Sequence, residues 1–259
     1  MKHDKGEGFT GRTGNYSRGR PDYPDEIIDH LVKDRVIGTG SLIADIGSGT
    51  GKLSRLFLKH GFSVICVEPN PEMREQAKRD LMESSNVTIN DATAENTGLP
   101  DHSVDIVVAG QAFHWFDPMA AGKEFLRILK PGGKVALIWN DRVQNSGSFN
   151  EDYERICSTY SNGYHKSGSR SLDREVIGGF FGGKEKLYLM ENSQKLDLNG
   201  VMERYFSASY AIGREDAQFN TLIKEIENAY SRHERNGYVT IEYETRLFLG
   251  IPNAYPEDP

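Results

Sequence analysis

Apolar residues in this chain fall into short runs separated by amphipathic stretches, and the alternation is regular from residue 24 to residue 140. PDEIIDHLVKD (24–34) reads as a helix: Pro24 suits the first turn, Asp25 and Glu26 suit its positive end, and Ile27, Ile28, Leu31 and Val32 share a face. Strand-like runs follow at 41–47, 62–69, 86–91, 103–110 and 134–140. Between them, 51–61, 71–84 and 117–133 carry helical periodicity. Continuous Val, Ile and Leu without polar alternation suits strands covered on both faces, and strands alternating with helices predict a parallel, doubly wound α/β sheet.

The pattern changes after Asn140. Residues 141–183 are rich in Gly, Ser, Asn and charge, with a short helix predicted over 153–160. A long strand at 186–198, helices at 199–209 and 214–237 and a closing strand at 238–250 complete the reading. Phe219, Leu222, Ile223, Ile226 and Tyr230 mark the apolar side of the second of those helices. Residues 1–15 are polar and glycine-rich, and 251–259 hold three prolines and read as a tail. The units expected are thus 1–40, 41–140, 141–183, 184–250 and 251–259.

Composition narrows the function. The 259 residues are 37% hydrophobic, enough for a core, and the net charge of −7 disfavours a nucleic-acid backbone as partner. Cys66 and Cys157 show no metal-ligand spacing, and two free thiols suit a reducing compartment. No apolar run resembles a leader or reaches the roughly 20 residues of a membrane span, so a cytoplasmic protein without a membrane partner is expected. The seven histidines are scattered, and no metal site is assigned.

The sharpest motif is Asp45-Ile46-Gly47-Ser48-Gly49-Thr50-Gly51, between the first strand and a helix. Glycines there allow a tight turn and let a ligand lie against bare backbone. The dinucleotide fingerprint fails because Lys52 stands where its third glycine belongs. The P-loop fails at Ile46 and Leu53. Asp45 would repel a pyrophosphate but not a ligand carrying an ammonium and a sulfonium. Glu68-Pro69 ends the second strand, where a carboxylate can accept both hydroxyls of a ribose. Asn90-Asp91-Ala92 follows the third strand, Gln111-Ala112-Phe113-His114-Trp115-Phe116 the fourth, and Leu129-Lys130-Pro131-Gly132-Gly133 precedes the fifth.

This ordered set resembles the motifs of class I S-adenosylmethionine-dependent methyltransferases. The segment from Tyr16 through Arg20-Pro21 to Tyr23-Pro24, with QAFHWFDP, ALIWNDR and YETRLFLG, is similar to a small-molecule branch, the trans-aconitate methyltransferase group. The resemblance implies a Rossmann-like, mostly parallel sheet of seven strands. The last strand would be antiparallel and inserted beside the fifth, with an insertion after strand five over the acceptor site. It implies S-adenosylmethionine as cofactor, S-adenosylhomocysteine as product and a small-molecule acceptor, carboxylates among the choices. It also implies cofactor contacts from Tyr16, Arg20, Asp45, Gly47, Ser48, Gly49, Gly51, Glu68, Pro69, Asp91, Ala92, Gln111 and Ala112. The acceptor pocket would include Tyr23, Phe113, His114 and Trp115.

Each assignment has a plainer counterpart. The glycines could form an ordinary turn, Glu68 could be a solvated loop carboxylate, Asp45 could order the loop, and Asp91 could be a turn residue. Tyr16, Arg20 and Tyr23 form a lid or bind a carboxylate, or only anchor the first helix. His114 is the candidate general base. Methyl transfer from a sulfonium to an ionised carboxylate needs no base, however, and positioning can supply much of the rate. Tyr153, Tyr160, Tyr164, Phe180 and Phe181 line the insertion's side of the pocket or simply pack. Rival functions are a protein or nucleic-acid methyltransferase and a non-catalytic cofactor-binding protein.

Overall fold

The computed structural model describes residues 19–144, 147–161, 164, 174–208 and 210–253. Tyr16, the rest of the N-terminal segment to residue 18 and the tail from residue 254 lie outside the described residues.

Seven strands form one sheet in the order β3-β2-β1-β4-β5-β7-β6. They are β1 Leu42–Ile46, β2 Ser63–Val67, β3 Val87–Asn90, β4 Val104–Gly110, β5 Leu129–Arg142, β6 Lys186–Leu196 and β7 Val239–Gly250. The first five run parallel, and β7 is antiparallel to both β5 and β6. The seven-stranded sheet with its final strand inserted beside β5 is as expected. The described helices are α1 Glu26–Lys33, α2 Lys52–Lys59, α3 Pro71–Asp80, α4 Pro118–Ile128, α5 Phe149–Thr159, α6 Arg174–Phe181, α7 Leu198–Phe206 and α8 Phe219–His233.

Strand alternation assigns the two faces. Ile43, Val64, Ile106, Val108 and Ile138 pack with Ile27 and Leu31 of α1 and Leu53, Leu56 and Phe57 of α2. Ala44, Ile46, Val107, Ala109 and Leu137 pack on the other face with Phe125 and Ile128 of α4 and Ile177, Phe180 and Phe181 of α6. A third cluster lies apart from both. It joins Tyr153, Ile156 and Cys157 of α5, Val201 and Tyr205 of α7 and Leu222, Ile226 and Ala229 of α8 to Val239, Ile241 and Tyr243 at the start of β7.

Register explains where this helical cap sits. Gly110, the last residue of β4, pairs with Ile138, so β5 continues past the carboxyl end of its neighbour to Arg142. There it pairs with β7, Asn140 against Thr245 and Arg142 against Tyr243. The overhanging β5-β7-β6 ladder carries α5, α7 and α8 on the side where β1, β2 and β4 end.

Several boundaries depart from the sequence expectation. The fourth helix, expected to be closed by the proline-glycine turn at its end, stops at Ile128, because Lys130 precedes a proline and must be extended. The fifth strand therefore starts at Leu129. Helix α5 starts earlier than expected, at Phe149, and α8 starts later, at Phe219. Helix α6 was not predicted. Gly178 and Gly179 lower its propensity, and burial of Ile177, Phe180 and Phe181 holds it. No described helix is long and apolar enough to cross a membrane.

Candidate active site

The glycine loop turns between β1 and α2. Gly47, Gly49 and Gly51 all have positive φ, at 67°, 57° and 80°. Gly47 also needs its missing side chain, because a Cβ there would lie 2.7 Å from Cβ of Ala112. The loop is tied to β2 from two directions. The amides of Gly47 and Ser48 donate to the Val67 carbonyl at 2.8 and 3.2 Å. The Gly49 amide donates to Oε2 of Glu68 at 2.9 Å.

Glu68 is 8% exposed and sits just beyond β2, where the chain turns into α3. Its Oε1 accepts from the Asn70 amide at 2.9 Å, and Asn70 in turn caps α3 by accepting from the Met73 amide at 3.1 Å. Burial raises the Glu68 pKa, opposed by these two amides and by Arg74. Arg74 donates to the Glu68 carbonyl at 2.8 Å and to Asp91 at 2.7 Å, bringing the ends of β2 and β3 together. Two backbone amides leave a carboxylate with acceptor capacity for further hydroxyls.

Asp45 lies underneath the loop. Strand alternation turns it toward α2, where the Ser54 hydroxyl donates to Oδ2 at 2.5 Å. The side chain is wholly buried, and Oδ1 has no partner. Burial pushes its pKa up to about 7, with the Glu68 charge adding to the shift. Ser48, in the loop itself, is also buried.

β4 ends in a strained turn. Gln111 has φ 58°, unusual for a residue with a side chain. It is held by its amide donating to the Ile138 carbonyl at 2.9 Å and its side-chain nitrogen donating to the Asn140 carbonyl at 3.2 Å. The 3-10 turn Phe113–Trp115 follows. Phe113 is buried in the sheet core, 4.7 Å from the Phe180 ring, so it backs the segment and does not face the opening. His114 and Trp115 are exposed, their rings 4.9 Å apart. Surrounding protein, and secondarily the Arg20 guanidinium, lower the His114 pKa to about 4.

A carboxylate after β2 thus holds the glycine turn after β1 at the carboxyl edge of a 3-2-1-4-5-7-6 sheet, as the sequence motifs led us to expect. Residues 44–137 match a model described as a methyltransferase domain. An uncharacterized methyltransferase of Schizosaccharomyces pombe is 30% identical over 236 residues, covering 90% of this chain and 92% of that protein. The chain belongs to the class I S-adenosylmethionine-dependent methyltransferases. An uncharacterized methyltransferase of Mycobacterium tuberculosis is 38% identical over 146 residues, 56% of this chain and 57% of that one. The match thus spans little more than half of the mycobacterial relative. Among solved structures, a candidate type II methyltransferase from Anaeromyxobacter dehalogenans superposes with TM-score 0.65 at 22% identity, over 90% of this chain and 97% of that chain. An S-adenosylmethionine-dependent methyltransferase from Geobacter sulfurreducens does so with TM-score 0.50 at 17% identity, over 93% and 96%. Both share the fold.

In this chain the segment before α1 crosses the sheet's carboxyl edge. Asp22 bonds Lys52 at 2.7 Å, and its carbonyl accepts from Asn192 at 2.8 Å and Asn140 at 3.3 Å. The Tyr23 hydroxyl lies where a Cβ on Gly110 would be, 2.5 Å away. Arg20 donates to the Ser207 carbonyl at 3.4 Å, which places it against the end of α7. Asp91, Pro69 and Ala92 edge the opening, the first two exposed and Ala92 half-buried.

The sequence reading missed Ser54, Asn140, Arg142 and Arg204. Ser54 sits at helical spacing from Gly51 and could have been found as the polar member of an otherwise apolar face. The others stand on segments whose neighbours only the fold brings together. Among the described residues no cluster of His, Cys, Asp and Glu could hold a metal ion.

Proposed function

We propose that the protein transfers the sulfonium methyl group of S-adenosylmethionine to a small-molecule acceptor, carboxylates included, giving S-adenosylhomocysteine. The observation that carries this reading is the joint between Glu68 and the Gly49 amide. It fixes a bare backbone turn and a carboxylate with spare acceptor capacity at the sheet's carboxyl edge, beside the reversal in strand order where open α/β sheets bind ligands. The Geobacter protein of the same fold is complexed with S-adenosylhomocysteine, which supports the choice of cofactor.

The residues fit that ligand. Glu68 accepts ribose hydroxyls, Pro69, Asp91 and Ala92 border the adenine, and the Gly47–Gly51 backbone with Ser48 holds the methionine part. Gln111, Ala112 and Arg20 close the other side. Asp45, sealed beneath the loop, favours a cationic ligand above it through its charge. When bound, the cofactor supplies an electrophilic methyl carbon on a good leaving group. His114, Trp115 and Tyr23 bound the acceptor space, and the α5-α7-α8 cap covers it. A neutral imidazole with pKa about 4 is a weak base, so His114 shapes the pocket. The strings QAFHWFDP, ALIWNDR and YETRLFLG support a place in the branch similar to trans-aconitate methyltransferases.

The test is ligand-induced stabilisation. S-adenosylhomocysteine at a hundredfold excess over its Kd adds about 2.7 kcal/mol, roughly 5–10 °C in melting temperature. NAD and ATP add nothing. Stabilisation by NAD with none from S-adenosylhomocysteine overturns the reading. With methyl-labelled cofactor and a metabolite extract, label is expected in a small molecule. Label in protein or nucleic acid would move the acceptor class, and binding without any transfer would make the protein a sensor.

A further inference from the structure

The interior of the cap holds two arginines that differ in one respect. Arg142 has its carboxylate: it donates to Glu154 at 3.2 Å and to the Tyr164 hydroxyl at 2.6 Å, with its guanidinium 5.3 Å from the Tyr153 ring centre. Arg204, on α7, is 4% exposed and makes no ion pair among the described residues. Its Nε donates to the Tyr243 hydroxyl at 3.1 Å, and its Nη1 has no partner. The groups acting most strongly on it are Tyr243, Tyr153, Arg142 and Tyr210. Tyr153 is wholly buried and its hydroxyl also lacks a partner. Burial raises its pKa well above the ordinary phenol value, so it remains a neutral O–H donor at neutral pH.

A guanidinium cannot shed its proton to escape burial, and an unpaired buried charge is costly. Two unpartnered donors in one cluster, a guanidinium N–H and a phenol O–H, match the two oxygens of a carboxylate. Arg20 lies against the end of α7, donating to the Ser207 carbonyl at 3.4 Å, and its charge acts on both His114 and Tyr210. Gly19, next to it, lies so close to α7 that a Cβ there would come within 3.0 Å of Cα of Arg204. In a chain of net charge −7, an anionic acceptor also needs a local source of positive charge.

We propose that Arg204 and Tyr153 form an anion subsite that binds a carboxylate of the methyl acceptor, entering past Arg20 from the His114 side. The proposal rests on the small-molecule methyltransferase reading. Arg142, already neutralised by Glu154, positions the Tyr153 ring and is not part of the contact.

The probes are succinate, glutarate and tricarballylate, with inorganic phosphate as the competing anion. Each is titrated calorimetrically into the full-length protein saturated with S-adenosylhomocysteine. At least one carboxylate is expected to bind, and Arg204→Met to weaken it about tenfold to a hundredfold. Tyr153→Phe, which removes one oxygen and keeps the packing, should weaken it about threefold to tenfold. S-adenosylhomocysteine affinity should be the same in all three proteins. Without any anion, Arg204→Met should melt roughly 2–8 °C higher than the parent, because an unpaired buried charge is gone.

If the parent binds S-adenosylhomocysteine but none of the carboxylates, the subsite is wrong while the functional reading stands. If it does not bind S-adenosylhomocysteine, the functional reading itself fails. Phosphate binding lost in Arg204→Met, without carboxylate binding, overturns the choice of anion. A lower melting temperature in Arg204→Met, with carboxylate affinity unchanged in Tyr153→Phe, makes Arg204 a structural residue and overturns the proposal.

Discussion

Glu68 does two jobs with one carboxylate. Its bonds to the Gly49 and Asn70 amides order the loop, and in the proposed function its remaining lone pairs accept ribose hydroxyls. Glu68→Ala should cost about 1.5–3 kcal/mol of cofactor binding, a tenfold to hundredfold rise in the Kd of S-adenosylhomocysteine, while the protein stays folded. An unchanged Kd by calorimetry would make Glu68 only a loop tether. His114 poses a different question. Its pKa near 4 leaves it neutral across the working range, so protonation does not explain a fall in activity between pH 7 and 5. His114→Gln is expected to raise the acceptor KM with little change in kcat and none in the pH profile or cofactor affinity. A hundredfold fall in kcat would restore it as a base.

At the scale of elements, the loop and the QAFHWF segment form one unit, because Gly47 touches Ala112 and Gln111 is strapped to β5. Gly47→Ala must therefore move the segment as well as strain the loop. Gly61, at the end of α2, supplies the control: its φ is 80°, but a Cβ there meets nothing. Both variants should lose about 1–2 kcal/mol of stability from a non-glycine residue in the left-handed region. Only Gly47→Ala should also lose cofactor affinity, by more than tenfold. Equal affinities in the two variants would detach the loop from the cofactor. The caps are built in the same local way. Asp117 accepts from the Met119 and Ala120 amides at the start of α4, and Asp197 from the Gly200 amide at the start of α7.

For the whole molecule, Asp45 couples stability to pH. Its folded pKa of about 7 lies above the roughly 3.9 of an unfolded Asp, so the folded state binds the proton more tightly. Stability from this group is greatest below pH 4, falls as pH rises to 7 and is flat above. The loss is on the order of 2–4 kcal/mol at pH 8. Asp45→Asn should thus melt higher than the parent at pH 8 and equal to it near pH 4. Thermal melts across that range check the sign, and a parent that is more stable at pH 8 than at pH 5 relative to the variant would refute it. A cationic ligand over the loop should lower the Asp45 pKa, so affinity for S-adenosylmethionine, which carries the sulfonium that S-adenosylhomocysteine lacks, should rise by up to about tenfold from pH 6 to pH 8 in the parent alone.

The sequence by itself determined the sheet from β1 to β5 and the cofactor edge. Buried strands are written as unbroken apolar runs, and a turn that needs positive φ is written as glycine at 47, 49 and 51. Both signals are local, so they survive without knowledge of the partners. The tertiary structure decided what depends on contacts between distant segments. It buried Phe113 behind the segment it was expected to expose, because Phe180 and Phe125 from two other helices complete the pocket for that ring. It sealed Asp45 under the loop through Ser54. It split the 141–183 region, giving α5 to the cap and α6 to the main core. Among the described residues it also left Arg204 without a counter-charge while pairing Arg142 with Glu154, a difference that spacing along the chain does not encode. Charge compensation is settled by which side chains the packed layers bring within a few ångströms of each other.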